Sequence, residues 1–290
     1  MSPSPTFDLQ GHRGARGLWP ENSLHGFAAA VALGVTSIEL DVVLTADGVP
    51  VVYHDLTLNP DLTRGPDGKW LTAPTPAVAT LTAAALAQYD VGRIRPRGRY
   101  AARCRGQTPM DGIQIPTLDE VCRLVAGTPV RVDIEIKTDR RNPASEAGLP
   151  GIVDAVLQVI DATAVEAQSA IRSFDWRVLR LIRQRRPALN LAWLSGLATD
   201  AKAGAVIAAI QQDGWPDWTP VWAPDHRLLR RRHIARVRQA GVHVKPWTVN
   251  AAFRMRQLIR WGVDGFCTDR PDLARIVLGG VAVPGEAQAG

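Results

Sequence analysis

Thr36-Ser37-Ile38-Glu39-Leu40-Asp41-Val42-Val43-Leu44 has the composition of a strand, with two carboxylates set into an apolar run. Strand side chains alternate between faces, so Glu39 and Asp41 project together. Two adjacent carboxylates repel unless one holds a proton or a cation lies between them. Oxygen donors of this kind suit a hard divalent ion such as Mg²⁺ or Ca²⁺. The same pair also reads as two solvated carboxylates on an exposed strand face.

Upstream, Phe7 to Gln10 reads as a short strand ending at His12, followed by a helix from about Ser23 to Leu33 that Gly34 stops. Downstream, Val49 to Tyr53 is a short extended piece that delivers His54. Thr117-Leu118-Asp119-Glu120 is a capping box opening a helix that Gly127 closes. The strand–helix rhythm then continues. Strands are expected at Val130–Ile136, Ser169–Phe174, Leu189–Leu194, Pro220–Ala223, Val242–Thr248 and Val263–Cys267. Helices are expected at Gly151–Ala164, Asp175–Arg186, Thr199–Gln212 and Asp225–Gly241, followed by one that Asn250 caps and Gly262 ends and a last one that Asp269 caps. Eight strands alternating with helices imply an α/β fold with a parallel sheet, closed as a (β/α)8 TIM barrel. An open doubly wound sheet would need a glycine-rich phosphate loop after a strand, and none of the G-x-G-x-x-G type is present.

His12, Glu39, Asp41, Glu135, Lys137, Ser173 and Trp247 all fall at or near C-terminal ends of these strands, the face that carries barrel active sites. In Asp133-Ile134-Glu135-Ile136-Lys137 the charged residues share one parity, which a barrel would turn inward. Burying them without partners is costly. A metal and an anionic substrate would satisfy Glu135 and Lys137, and a buried ion-pair network without catalysis is the other reading. His12 also reads as a turn residue, and His54 as a partner of Asp55 alone. His25, His226, His233 and His243 are assigned surface or structural places. Trp193, Trp222 and Trp247 read as an apolar wall for substrate or as barrel packing, with Trp247 taken as substrate wall.

About 60 residues separate His54 from Thr117, too many for an ordinary connection. The stretch from about 56 to 116, with Arg93, Arg95, Arg97, Arg99, Arg103 and Arg105, reads as a lid-like insertion or a solvated loop. Residues 1–280 are expected to form a single domain and 281–290 a disordered tail.

Hydrophobic residues make up 46% of the chain, enough for a sizeable core. The net charge of +6 suits anionic partners. Arginines at 227, 230, 231, 232, 236 and 238 crowd one helix, which reads as a solvated face or as a surface for phosphate-bearing substrate or anionic lipid headgroups. No aromatic-interleaved basic motif of a nucleic-acid reader is present, so no nucleic-acid partner is expected. Met1 to Phe7 has neither a basic nor an apolar signal region, and no stretch reaches the roughly 20 apolar residues of a membrane span. A cytoplasmic location without a stable membrane anchor is expected. Cys104, Cys122 and Cys267 form no C-x-x-C pair and are expected as reduced thiols.

Several of these segments together resemble the glycerophosphodiester phosphodiesterases, in the order found in that family. They are His12-Arg13-Gly14, Pro20-Glu21-Asn22-Ser23, Glu39-Leu40-Asp41-Val42, Thr45-Ala46-Asp47-Gly48, His54-Asp55, Ile134-Glu135-Ile136-Lys137, Ser173-Phe174, Trp247-Thr248-Val249-Asn250, Gly262-Val263-Asp264-Gly265 and Thr268-Asp269-Arg270-Pro271. Where that family usually follows the His-Asp pair with an arginine-threonine-threonine element, this chain has Leu58-Asn59-Pro60-Asp61-Leu62-Thr63-Arg64. The resemblance implies that Glu39, Asp41 and Glu135 bind one divalent ion (Mg²⁺, Ca²⁺ or Mn²⁺) which bridges the phosphodiester and the glycerol 2-hydroxyl. It implies that His12 and His54 are the acid–base pair, that Arg13 and Lys137 hold the phosphate, and that Trp247 contacts substrate. The implied reaction converts a small glycerophosphodiester, through a cyclic glycerol phosphate, to glycerol 3-phosphate and an alcohol. Lysophospholipase D or sphingomyelinase D-like cleavage, and a non-catalytic glycerophosphate-binding barrel, are the alternatives.

Overall fold

The computed structural model describes residues 7–139, 143–214 and 216–279, so the tail expected to be disordered lies outside the described residues. In chain order the elements are β1 (Asp8–His12), α1 (Leu24–Leu33), β2 (Ser37–Leu44), β3 (Pro50–Val52), α2 (Ala83–Leu86), α3 (Arg99–Arg103), α4 (Leu118–Val125), β4 (Arg131–Ile136), α5 (Leu149–Thr163), β5 (Ser169–Ser173), α6 (Trp176–Arg185), β6 (Asn190–Leu197), α7 (Asp200–Gln212), β7 (Val221–Asp225), α8 (Arg231–Gln239), β8 (His243–Val244), α9 (Ala252–Arg260), β9 (Gly265–Thr268) and α10 (Pro271–Gly279).

The sheet order is β8-β7-β6-β5-β4-β2-β1-β9, with every neighbouring pair parallel; β3 alone runs antiparallel, against β2. Eight parallel strands thus form a nearly closed (β/α)8 barrel. At the seam between β8 and β9, the amides of Asp264, Cys267 and Val249 donate to the carbonyls of Val244, Pro246 and Cys267 at 3.0, 3.0 and 2.9 Å. The strand expected over Val242–Thr248 is cut to His243–Val244. Pro246 has no N–H to give to a ladder, and regular pairing stops ahead of it.

Local signals set the helix ends. Ser23 Oγ accepts from the Gly26 amide at 3.0 Å, and Gly34 closes α1 at φ 85°, a conformation that costs glycine little. The capping box at Thr117 forms, with Glu120 Oε2 accepting from the Thr117 amide at 2.8 Å. The helix expected over Asp225–Gly241 is a 3₁₀ turn, His226–Leu228, then α8, because Leu229 and Arg230 are extended. Asn250 is not a helix cap. It receives the amide of Asp269 on its side-chain oxygen at 2.9 Å, and α9 starts later, after Ala251.

Strand alternation divides the residues between two environments. Leu9, Ile38, Leu40, Val42, Val132, Ile134 and Ile136 belong to the main core with helix residues such as Phe27, Val121 and Val156. Each fully buried aliphatic of this kind contributes about 1.5–3 kcal/mol. The opposite parity fills the barrel with polar groups. Asp8 accepts from Lys245 and Arg131, both at 2.6 Å, and Gln10 Nε2 donates to Asp133 at 2.6 Å. Arg172 donates to Gln10 Oε1 at 3.1 Å, so these pairs form a charged floor beneath the mouth.

The segment 56–116 has its own order. Leu58, Val78, Leu86, Val91 and Ile115 pack with Val43, Val51 and Tyr53 as a second apolar cluster beside the β2–β3 hairpin. Arg64 pairs with both Asp90 and Asp111. Among the described residues no helix is long and apolar enough to cross a membrane. The three cysteines are buried and unpaired.

Candidate active site

β1 ends at His12, and the chain then turns sharply through Arg13 at φ 51° and Gly14 at φ 86°. The turn is possible because Gly11 has no side chain: a Cβ there would lie 2.0 Å from the Gly14 carbonyl oxygen. Gly11→Ala is therefore expected to lower stability by about 1–3 kcal/mol, read as a lower midpoint in urea. The turn points the Arg13 amide at Glu39 Oε2, 3.1 Å away. Asn22, also at positive φ, donates to Asp41 at 2.9 Å.

The β2–β4 register pairs Asp41 with Glu135, and Glu39 with Asp133 one step deeper. One carboxylate oxygen each from Glu39, Asp41 and Glu135 falls within 4.8 Å of the others, with all three residues buried. Lys137 Nζ lies 2.8 Å from Asp41 and 2.6 Å from Glu135. Arg13 Nε lies 3.0 Å from Asp41 and its Nη1 2.7 Å from Glu21. Burial raises the Asp41 pKa, but Lys137 and Arg13 outweigh that and hold it well below the carboxylate range. Glu39 has less help. Burial first, then the charge of Asp41, push its pKa up to about 8. Arg172 and Arg13 lower it without cancelling that rise, so Glu39 favours its protonated form unless a further cation is supplied. A hard divalent ion fits this all-oxygen set. His12, Glu39 and Cys267 also converge, but burial, then Glu39, keep the Cys267 thiol protonated.

Both imidazoles are backed by carboxylates. His12 Nδ1 lies 2.5 Å from Asp269 Oδ1, leaving Nε2 toward Glu39 at 3.9 Å. Asp269 is itself held by Arg16 Nε at 2.7 Å and Asn250 Nδ2 at 2.6 Å. Burial, then Arg16, hold the His12 pKa down to about 4 despite Asp269. His54 follows β3, and its Nδ1 lies 2.6 Å from Asp55, which also accepts from Asn59 at 2.8 Å. Burial raises the Asp55 pKa, but the His54 contact outweighs it.

A cavity of about 180 Å³ joins these groups, lined on one side by His12, Arg13, Arg16, Glu39, His54, Glu135 and Lys137. Phe174, Leu194 and Trp247 line the other, with Phe174 and Trp247 edge to face at 5.4 Å. The volume suits a headgroup, below the roughly 300–1,000 Å³ of drug-sized pockets. Asp41 lies behind Lys137, off this surface. Trp222 and Trp193 are packing residues: Trp222 is wholly buried and donates to Ser195 at 3.0 Å, and Trp193 stacks on Trp218. No residue of 56–116 is among the cavity's described lining; the segment meets the site through Tyr100, whose hydroxyl contacts Arg13 and Glu21.

Asp269, Arg172, Arg16 and Leu194 are residues of the site that sequence reasoning missed. Asp269 was assigned as a helix cap, although it follows the last strand on the face used to select the others. Arg172 shares the inward parity of Phe174 and lines the cavity floor, and its Nε has no hydrogen-bond partner among the described residues.

Comparison with known proteins gives a consistent result. Residues 12–273 match the glycerophosphoryl diester phosphodiesterase family. A glycerophosphodiester phosphodiesterase of Caldanaerobacter subterraneus is 30% identical over 263 residues, covering 90% of this chain and 93% of that one. One from Bacillus subtilis is 29% identical, covering 90% and 83%. Among solved structures, a putative glycerophosphoryl diester phosphodiesterase from Silicibacter pomeroyi superposes with a TM-score of 0.88 at 35% identity, covering 96% of this chain and 94% of that one. An Oleispira antarctica phosphodiesterase in complex with its product sn-glycerol-3-phosphate superposes at 0.75 with 20% identity, covering 94% and 96%, a likeness of fold.

Proposed function

The chain belongs to the glycerophosphoryl diester phosphodiesterase family, and from that premise we propose how its own residues carry out the hydrolysis. The substrate is a glycerophosphodiester and the products are glycerol 3-phosphate and an alcohol. One observation supports the assignment: Glu39 and Glu135 of a buried carboxylate triad line one cavity with two imidazoles, each backed by a carboxylate. A non-catalytic binding barrel has no use for the two His–Asp pairs.

Glu39, Asp41 and Glu135 are the residues that would hold a divalent ion, whose contribution is to polarise the phosphoryl oxygen and acidify the attacking hydroxyl. His12 serves as general base. Its imidazole is neutral at working pH, its Nδ1–H donates to Asp269, and Nε2 is left to accept the proton of the glycerol 2-hydroxyl. As that oxygen bonds to phosphorus, the bond to the leaving alcohol breaks, and His54 gives the alcohol its proton. Asp55 orients the His54 ring through Nδ1. Water then opens the cyclic glycerol phosphate with the two histidines in exchanged roles. Arg13 and Lys137 donate to the phosphate oxygens. Arg172 adds a fixed positive charge beneath Glu39 and Glu135. Trp247, Phe174 and Leu194 shield the substrate carbons. The insertion serves as a wall beside the mouth, with Tyr100 bracing Arg13 and Glu21.

The test is release of glycerol 3-phosphate from glycerophosphocholine, first with chelator, then with Mg²⁺, Ca²⁺ or Mn²⁺ restored singly. Release is expected to stop with chelator and return with at least one ion. No release with any ion, from this or other glycerophosphodiesters, would overturn the assignment.

A further inference from the structure

Five large apolar side chains are exposed among the described residues, and three of them rim one side of the barrel mouth. Leu197, 43% exposed, ends β6; Leu228, 47% exposed, lies in the turn after β7; Phe253, 72% exposed, is in the first turn of α9. Scattered exposed leucines are ordinary, but these three stand on adjoining loops. Leu197 pairs in register with Asp225, three residues before Leu228. Arg254, next to Phe253, donates to the Leu229 carbonyl at 2.9 Å and to that of His226, on either side of Leu228.

These loops follow the strands that place Leu194 and Trp247 in the cavity wall. The apolar side of the cavity and the apolar rim are thus carried on neighbouring strand–loop units. Arginines stand among the rim residues. Arg227 is exposed and held by Asp225 at 2.6 Å, while Arg230, Arg231 and Arg256 are exposed with no ion pair among the described residues. The exposed acid Asp200 is taken up by Arg232 at 3.0 Å and His233 at 3.2 Å.

Resting on the phosphodiesterase assignment above, we infer that this rim docks the enzyme on an anionic lipid surface, with acyl-bearing glycerophosphodiesters as its substrate class. Separate apolar side chains set among arginines suit insertion at the boundary between headgroups and acyl chains, where the arginines meet lipid phosphates. A cavity of about 180 Å³ admits the glycerophosphate part and leaves an acyl chain outside. That chain would leave along the Leu194–Trp247 side, toward Leu197, Leu228 and Phe253.

The experiment is sedimentation with vesicles of phosphatidylcholine, alone or mixed with phosphatidylglycerol, on the full chain. The wild type is expected to sediment with the mixed vesicles and to stay in solution with phosphatidylcholine alone. Leu228→Ser with Phe253→Ser, and separately Arg230→Glu with Arg231→Glu, should each weaken that partition by about tenfold or more. Both variants should keep wild-type kcat/KM on soluble glycerophosphocholine and lose turnover of lysophosphatidylglycerol in mixed vesicles. Undiminished binding by both variants, or no binding by the wild type, would overturn the docking face. A change in the protein's own sedimentation without any change in vesicle binding would make the rim an interface between copies and also overturn it. Docking without hydrolysis of any glycerophosphodiester, soluble or acyl-bearing, would support the face and overturn the phosphodiesterase assignment instead.

Discussion

Replacing His12 by alanine is expected to lower kcat for glycerophosphocholine by about 10²–10⁴-fold, the usual worth of a positioned acid–base group. The protein should otherwise remain folded, because His12 is an end-of-strand residue facing the cavity and not part of the apolar core. Thermal melting and circular dichroism check the fold, and steady-state kinetics check the loss. Asp269→Asn separates the role of the pair from that of the ring. The amide removes the negative charge that opposes burial at His12, and it can present an N–H to Nδ1, favouring the wrong tautomer. A fall of about 10⁴-fold in kcat is expected, with the acid limb of the kcat/KM profile moved to lower pH. A merely structural Asp269 would lower stability and leave the pH profile in place. Near wild-type turnover in His12→Ala would remove it from the chemistry.

Glu39→Gln and Glu135→Gln are each expected to weaken divalent-ion binding and to lower kcat/KM by about 10³-fold, since the ion's charge stabilisation amounts to several kcal/mol. Excess ion should restore part of the activity. Glu39 adds a pH signature. Without the ion its pKa is about 8, so below that pH the ion must displace a proton. Apparent affinity should rise with pH up to about 8 and then level, and calorimetry in buffers of different ionisation enthalpy should count the proton released at neutral pH. Wild-type protein that binds the ion with no proton released would exclude Glu39 as the protonated ligand.

The period of two made the barrel interior legible. Glu39 with Asp41, and Asp133 with Glu135, sit on inward parities that need no knowledge of the rest of the fold. The capping signals at Ser23 and Thr117 were equally local. Longer-range features were not legible. Asp269 meets His12 across 257 residues, through the pairing of β9 with β1, and its position after a strand looked like a helix cap. Asn250 was misread for the same reason: its partner is Asp269, not the helix that follows it. The order within 56–116 comes from a small apolar cluster that short, irregular elements build together, with no sustained periodicity to announce it. Pro246 was visible, but its effect on the length of β8 depends on which neighbour needed its missing hydrogen.

The pairing of the first strand with the last also bears on synthesis. A ribosome makes His12 early relative to the rest of the site, and its carboxylate partner follows 257 residues later, after β9, the last strand of the barrel. Until then the nascent chain holds its acidic triad and its first histidine without the contact that fixes that histidine's proton. The site is thus completed only once β9 has followed the other strands, and a product cut short before Asp269 would carry most of the barrel with its first histidine unpaired.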